Sequence, residues 1–280
     1  MNLLSTTTTL TTGMGAVSDS QIESKLGLAP GSLDQFVTTI PQGNDATEGQ
    51  VIAVKTKGDV DLTFNYDFST GEFPGSSFND FSFSSVNQNI NLIAFDDQLG
   101  TVPIDLSPGT NTIGIGVMDE GDTVVDSTLA ITSYDLSLSN GPGSFTDAQL
   151  ETFLGLDTVK LDNLGNGNAT EGSAAIVGHD VTLNEGQALT IDYNFTTSEA
   201  LNSFFNDFAF ISFNSEAPNM VMEDYFELAD TSSPGMGSLT LTVGATGDIA
   251  PGTYDIGVGV VDVGDTIVNS SLTVTDITIV

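Results

Sequence analysis

The second half of the chain repeats the first, and this duplication strongly limits the folds that the sequence can adopt. Three blocks recur in the same order: SDSQIESKLGL at 18–28 and TDAQLETFLGL at 146–156, FNDFSF at 78–83 and FNDFAF at 205–210, and IGIGVMDEGDTVVDSTLAIT at 113–132 and IGVGVVDVGDTIVNSSLTVT at 256–275. The Gly/Pro/Ser stretch SNGPGS predicts a seam between the copies. We therefore predict an extended N-terminal segment over 1–16 and two domains of ordinary size over 17–140 and 141–280.

Local patterns predict that each copy opens with a short helix and continues as strands. Ser18 is placed to cap the first helix, and Gln21 is placed to close a capping box. Thr146 and Gln149 take these places in the second copy. Beyond the helices, apolar residues alternate, as in VDLTFNYDF at 60–68, which is the pattern of a half-buried strand. The sequence predicts an all-β fold of two tandem jelly-roll-like antiparallel β-sandwich domains.

The charge balance of the chain excludes several classes of partner. Its 280 residues contain 38 Asp and Glu against 4 Lys and Arg, which gives a net charge of −34. Nucleic acids and anionic membrane surfaces are therefore poor partners, and we predict no nucleic-acid partner. No apolar run is long enough to span a membrane. The chain has no Cys and a single His, so disulfides, thiolate metal sites and most zinc sites are excluded as well.

This excess of carboxylates also indicates a cofactor. Hydrophobic residues make up 39% of the chain, so it has enough apolar side chains to fold around a core. Carboxylates crowded by folding repel one another unless a cation neutralises them, and outside the cell Ca²⁺ is the available hard cation. We predict Ca²⁺ as the cofactor and an extracellular or cell-surface location. The alternative is an acidic surface adapted to high salt.

Four blocks of the sequence carry a resemblance to known proteins. The blocks are LGLxxxxLDxxGNGNATEGSA, NFxTxE, FNDFAF and GVGVVDVGDTIVNSxL. In this order they resemble a modular domain of secreted bacterial surface proteins, including those of the PEP-CTERM type, and they are similar to the choice-of-anchor β-sandwich domains. The resemblance covers both copies, and it implies an extracellular, lectin-like jelly roll without known catalysis.

Acidic and amide residues recur in both copies at strand ends and in turns, where folding draws them together. No linear calcium loop is present, so a site would be assembled from distant segments. Ca²⁺ takes six to eight oxygen ligands, and turn formation by Asn and Asp is the alternative role for these residues. The candidate metal ligands are Glu72, Asn79, Asp80, Asp119, Asp122 and Asp126 in the first copy and Glu199, Asn206, Asp207, Asp262, Asp265 and Asn269 in the second.

These observations predict a secreted structural protein that associates with itself into a filament, sheath or surface layer. The β-branched leader LLSTTTTLTT is read as a donor strand for a neighbouring copy, and an open-ended contact of this kind produces a fibre. Deletion of residues 1–13 is then expected to abolish assembly while both copies stay folded. The alternative function is a calcium-dependent adhesin module that binds polysaccharide.

An enzyme is not predicted. Paired carboxylates can hydrolyse glycosides, but here they come with turn glycines and without the Trp and Arg typical of sugar-binding active sites. The single histidine, His179, is expected at the surface or at a strand edge.

Overall fold

The structure is a computed structural model that describes residues 8–39, 45–72, 78–121, 123–164, 168–200, 205–215, 223–264 and 266–280. The helices are α1 (Asp19–Leu26), α2 (Ser32–Val37), α3 (Asp147–Leu154) and α4 (Lys160–Leu164). The strands are β1 (Thr8–Thr11), β2 (Val17–Ser18), β3 (Ala46–Ser69), β4 (Phe81–Val86), β5 (Asn89–Ala94), β6 (Gln98–Ile104), β7 (Gly109–Glu120), β8 (Thr128–Ser139), β9 (Phe145–Thr146), β10 (Ala169–Leu183), β11 (Ala188–Thr197), β12 (Phe208–Ser215), β13 (Glu223–Asp230), β14 (Gly235–Thr242), β15 (Gly252–Val263) and β16 (Ser270–Ile279). None of the helices in these ranges has the length and apolarity that crossing a membrane requires.

Both predicted capping boxes are confirmed. The backbone N–H of Gln21 donates to Ser18 Oγ, and Gln21 Oε1 accepts from the backbone N–H of Ser18, as happens at the start of α3. The short helix after each of them was not predicted. It is held by a buried carboxylate, since Glu23 accepts backbone N–H groups at the start of α2 and Glu151 does so at the start of α4. This contact depends on folding and leaves no periodic signal in the sequence.

The strands form two antiparallel layers, which confirms the predicted all-β fold. Layer A has the order β6-β3-β8-β16-β11-β14. Layer B has the order β5-β4-β7-β3-β10-β15-β12-β13. The long strand β3 passes from layer B, over residues 46–58, to layer A, over residues 59–69. The jelly-roll description of each copy stays a prediction.

The two copies meet strand against strand in both layers. At the centre of layer B, β3 pairs with its equivalent β10, and at the centre of layer A, β8 pairs with its equivalent β16. The order of equivalent strands therefore reads the same from either edge, as it does around a local twofold axis. One apolar core draws on both copies, from Leu10 to Ile277. A contact of this symmetry does not extend into a chain of copies, because each copy uses the same surface to bind the other.

The predicted seam is part of this interior. Asn140, in the SNGPGS stretch, is fully buried, and its backbone N–H donates to the carbonyl of Ser270. The domain boundary between residues 140 and 141 stays a prediction. Hydrogen bonds and a common core join the two copies on either side of it.

The described part of the N-terminal segment belongs to the first copy's own sheet. Strand β1 pairs with residues 128–131 of β8, and Leu10 and Thr12 are fully buried. In the second copy the equivalent place beside β16 is taken by residues 136–139 of β8. Residues 1–7 lie outside the described part, and donation to a neighbouring copy stays a prediction. The expectation that deletion leaves folding intact needs revision, because β1 supplies core residues.

Two equivalent glycines, Gly49 and Gly172, mark a close approach of strands and give a stability prediction. A Cβ atom at Gly172 would lie 2.1 Å from the carbonyl oxygen of Val260, and backbone atoms cannot move aside cheaply. We expect Gly172→Ala to lower the free energy of unfolding by about 2–3 kcal/mol in urea denaturation. Gly244→Ala is the control, since its nearest neighbours lie 3.9 Å or more away. Equal effects of the two substitutions would contradict the close packing of β10 against β15.

Candidate functional site

Four of the predicted carboxylates lie in the interior of the protein, at equivalent positions in the two copies. Asp80 and Asp207 stand immediately before β4 and β12, and they are 2% and 1% exposed. Asp119 and Asp262 lie near the ends of β7 and β15, and they are 0% and 1% exposed. The connections from β7 to β8 and from β15 to β16 cross between the layers at these places, so neither is a hairpin turn.

In the second copy the carboxylate of Asp207 is the centre of a hydrogen-bond network. Its Oδ1 accepts from the backbone N–H of Val263 at 3.1 Å, and its Oδ2 accepts from Ser270 Oγ at 2.7 Å. The amide Nδ2 of Asn140 donates to Asp207 Oδ2 at 3.3 Å and to Asp262 Oδ1 at 2.9 Å. Asn140 Oδ1 in turn accepts from the backbone N–H of Ser270 at 2.6 Å. Asn140 therefore joins two of the predicted ligands.

The first copy has the equivalent network with a different bridging residue. Asp80 Oδ1 accepts from the backbone N–H of Glu120 at 3.2 Å, and Asp80 Oδ2 accepts from Ser127 Oγ at 2.6 Å. Thr12 occupies the place of Asn140, and its Oγ1 accepts from the backbone N–H of Ser127 at 2.9 Å. Threonine lacks the amide that bridges two carboxylates in the second copy, so the two acidic centres differ chemically.

The other predicted ligands lie nearer the surface. Glu72, Asn79, Glu199 and Asn206 are partly buried, and Asp126 and Asn269 are exposed. Asp126 lies against Gly13, and Asn269 lies against Gly141, so both border the ends of the buried networks. Asp122 and Asp265 lie outside the described residues.

Asn206 Nδ2 contacts a further carboxylate, donating to Asp230 Oδ2 at 3.0 Å. Burial acts to raise the pKa of Asp230, but hydrogen bonds from Ser232, Asn206 and Ser233 outweigh it and hold the pKa below its ordinary value. Asn206 and Asp230 therefore join the second acidic centre to the turn after β13. In layer A, burial raises the pKa of Tyr134 on β8, and the nearby charge of Asp276 raises it further.

Within the described part of the chain, one group of three side chains has the spacing of a metal site, and it contains none of the predicted ligands. It consists of His179, Asp180 and Asp255, whose ligand atoms lie within 4.8 Å of one another. His179 Nδ1 lies 2.5 Å from Asp255 Oδ1, and His179 is half-exposed on β10, as predicted. Lys25 and Lys55 line the same groove, and their positive charge disfavours a divalent cation there. Calcium at the predicted ligands stays a prediction.

The groove beside His179 lies at the junction of the two copies. It has a volume of about 480 Å³, which falls within the range of about 300–1,000 Å³ usual for ligand sites. Its walls come from α1 and β3 of the first copy and from β10 and β15 of the second. The lining residues are Lys25, Ala53, Lys55, Ile176, His179, Asp180 and Asp255.

Sequence reasoning missed Asn140, Thr12, Ser127 and Ser270 as parts of the acidic centres. Ser127 and Ser270 were detectable, since they stand at equivalent places in the last repeated block, within VDST and VNSS. Thr12 and Asn140 differ between the copies, so the repeat gave no signal for them.

No family model matches the chain, and no curated protein matches its sequence. The tandem CBM51 modules of a family 98 glycoside hydrolase from Streptococcus pneumoniae are similar to it at a TM-score of 0.22 and 8% identity over 84% of each chain. The N-terminal tandem CBM22 domain of Xyn10C from Paenibacillus barcinonensis is similar at a TM-score of 0.21 and 11% identity over 79% of each chain. At such scores these likenesses carry no argument about this chain.

Proposed function

We propose that the chain is a secreted, non-catalytic module that binds polysaccharide and is stabilised by Ca²⁺. The observation that carries the binding function is the groove between the copies, because it combines a ligand-sized volume with amine, imidazole and carboxylate groups from four separate elements. Sugar hydroxyls are satisfied by carboxylate acceptors and by amine donors, so this lining suits a saccharide.

The calcium part of the proposal is supported by the acidic centres. Asp80, Asp119 and Glu120 are buried in the first copy, and Asp207 and Asp262 are buried in the second. The chain's cationic side chains are placed elsewhere: Lys25, Lys55 and His179 line the groove, while Lys57 packs over Phe145 and Lys160 over Tyr225. A hard cation held by the connections above these carboxylates would reduce their mutual repulsion.

We expect retention of the chain on a panel of immobilised polysaccharides and a melting temperature that rises with Ca²⁺. At ten to a hundred times the dissociation constant, each calcium site adds about 1.4–2.7 kcal/mol. Two sites then raise the melting temperature by about 5–10 °C. Differential scanning calorimetry with and without EDTA measures this shift, and Mg²⁺ at equal concentration controls for ionic strength.

The two halves of the proposal fail separately. An unchanged melting temperature would contradict stabilisation by calcium and favour the salt-adapted surface. Absence of retention on every polysaccharide would contradict the binding function.

Self-association into a filament, sheath or surface layer stays a prediction. The contact between the copies is closed, and residues 8–11 pair with β8 of their own chain, so neither feature supports an open-ended assembly.

A further inference from the structure

Positive charge in this protein is concentrated at one place. The chain carries a net charge of −34 with four Lys or Arg residues and one His. Two of the lysines, Lys25 and Lys55, line the same groove as the single histidine, His179. Three of the five side chains that can carry positive charge therefore come together, although they are far apart in the sequence.

The groove exists because two central strands part after a short ladder. Strands β3 and β10 pair only through residues 55–57 and 174–176. Beyond that ladder the pairing of β10 with β15, on its other side, shifts register before and after Gly178, and Asp180 has a φ of 53°. Bulges of this kind turn side chains out of the regular pattern of a strand. They direct His179 and Asp180 toward the groove instead of continuing the pairing with β3.

The two walls of the groove differ in chemistry. The first copy contributes the amines of Lys25 and Lys55, and Lys25 Nζ also lies 3.4 Å from the carbonyl oxygen of Val51 at the edge of β3. The second copy contributes His179 with the carboxylates of Asp180 and Asp255. Amines attract an anionic group, and carboxylates accept hydrogen bonds from hydroxyls.

We infer that this groove binds an acidic oligosaccharide, with its carboxylate or sulfate groups at Lys25 and Lys55 and its hydroxyls at Asp180 and Asp255. The inference rests on the proposed polysaccharide-binding function and names both the site and the class of ligand. The net negative charge of the protein does not prevent this, because at physiological ionic strength charges beyond about 8 Å are largely screened. Within the groove the charges of Lys25 and Lys55 balance those of Asp180 and Asp255, so the placing of amines on one wall and carboxylates on the other selects a ligand that carries both anionic groups and hydroxyls.

Isothermal titration calorimetry on the full chain tests the inference with three hexasaccharides. Oligogalacturonate supplies carboxylates, a heparin-derived hexasaccharide supplies sulfates, and cellohexaose is the neutral control. We expect one or both acidic ligands to bind and the neutral one to bind at least tenfold more weakly. The double substitution Lys25→Gln/Lys55→Gln is expected to weaken acidic binding at least tenfold. Lys160→Gln removes the same kind of charge beside Tyr225 and is expected to change binding less than twofold.

The outcomes test the inferred groove site and the proposed polysaccharide-binding function separately. Acidic binding that survives the double substitution, or a preference for cellohexaose, overturns the inference and leaves polysaccharide binding in place. Absence of binding to all three hexasaccharides overturns the inference, and absence of retention on the whole polysaccharide panel as well overturns the proposed function itself. If the double variant does not fold, Lys55→Gln and Lys55→Arg are compared, and equal affinity of these two variants overturns the role of the charge at this position.

Discussion

Replacement of Asp207 by alanine is expected to lower the free energy of unfolding by about 2–5 kcal/mol. The carboxylate accepts hydrogen bonds from the backbone N–H of Val263, from Ser270 Oγ and from the amide of Asn140, all inside the protein. Removing it leaves the backbone N–H of Val263 and the hydroxyl of Ser270 buried without this acceptor, while Asn140 Nδ2 keeps its hydrogen bond to Asp262. Each buried group that loses its partner costs about 1–3 kcal/mol. Urea denaturation followed by intrinsic tyrosine fluorescence measures the change.

Two further variants separate the causes of this loss. Asp105→Ala removes the same charge from an exposed position, and we expect a change within about 0.5 kcal/mol. Asp207→Asn keeps the shape and one acceptor but removes the charge, so its cost should lie between the other two. If Asp207→Ala and Asp105→Ala cost the same, the network around Asp207 does not stabilise the fold.

The features that the sequence predicts well are those set by neighbouring residues. The capping boxes at Ser18 and Thr146 need only a residue three positions later, and the alternation of Leu62, Phe64 and Phe68 follows from one strand with one buried face. These predictions are confirmed because no distant contact is required to make them.

The features that it misses depend on how distant segments meet. The composition of SNGPGS is that of a turn, yet Asn140 within it is buried, because residues 136–139 pair with β16 and bring it beside Asp207. The groove is likewise invisible in the sequence, since Lys25 and His179 line one groove only after β3 and β10 pair and then part. A repeated sequence identifies equivalent residues, but it does not say whether the copies follow one another in a row or close around an axis.

Because β1 lies in the core, we expect a single substitution in the N-terminal segment to have a large effect on the free energy of unfolding, as at Asp207. Leu10 is fully buried in the core, and Thr12 exchanges two hydrogen bonds with Ser127: its N–H donates to the Ser127 carbonyl, and its Oγ1 accepts from the Ser127 N–H. We expect Leu10→Ala to lower the free energy of unfolding by about 2–4 kcal/mol. Deletion of residues 1–13 should cost more, because it also removes the pairing with residues 128–131. Thr9→Ala, at an exposed position of the same strand, is the control.

This experiment also tests the filament hypothesis, because a strand that completes its own sheet and a strand that is donated to a neighbour respond differently to deletion. If β1 serves its own copy, the truncated chain unfolds at a lower urea concentration than the full-length chain. At urea concentrations where both are folded, the full-length protein and its Leu10→Ala variant then scatter light equally. If the strand serves a neighbour, the full-length protein forms large assemblies that the truncated chain does not form, and the two proteins have the same urea midpoint. The second result would contradict the pairing of residues 8–11 with β8, since a buried Leu10 cannot be removed from a core without loss of stability.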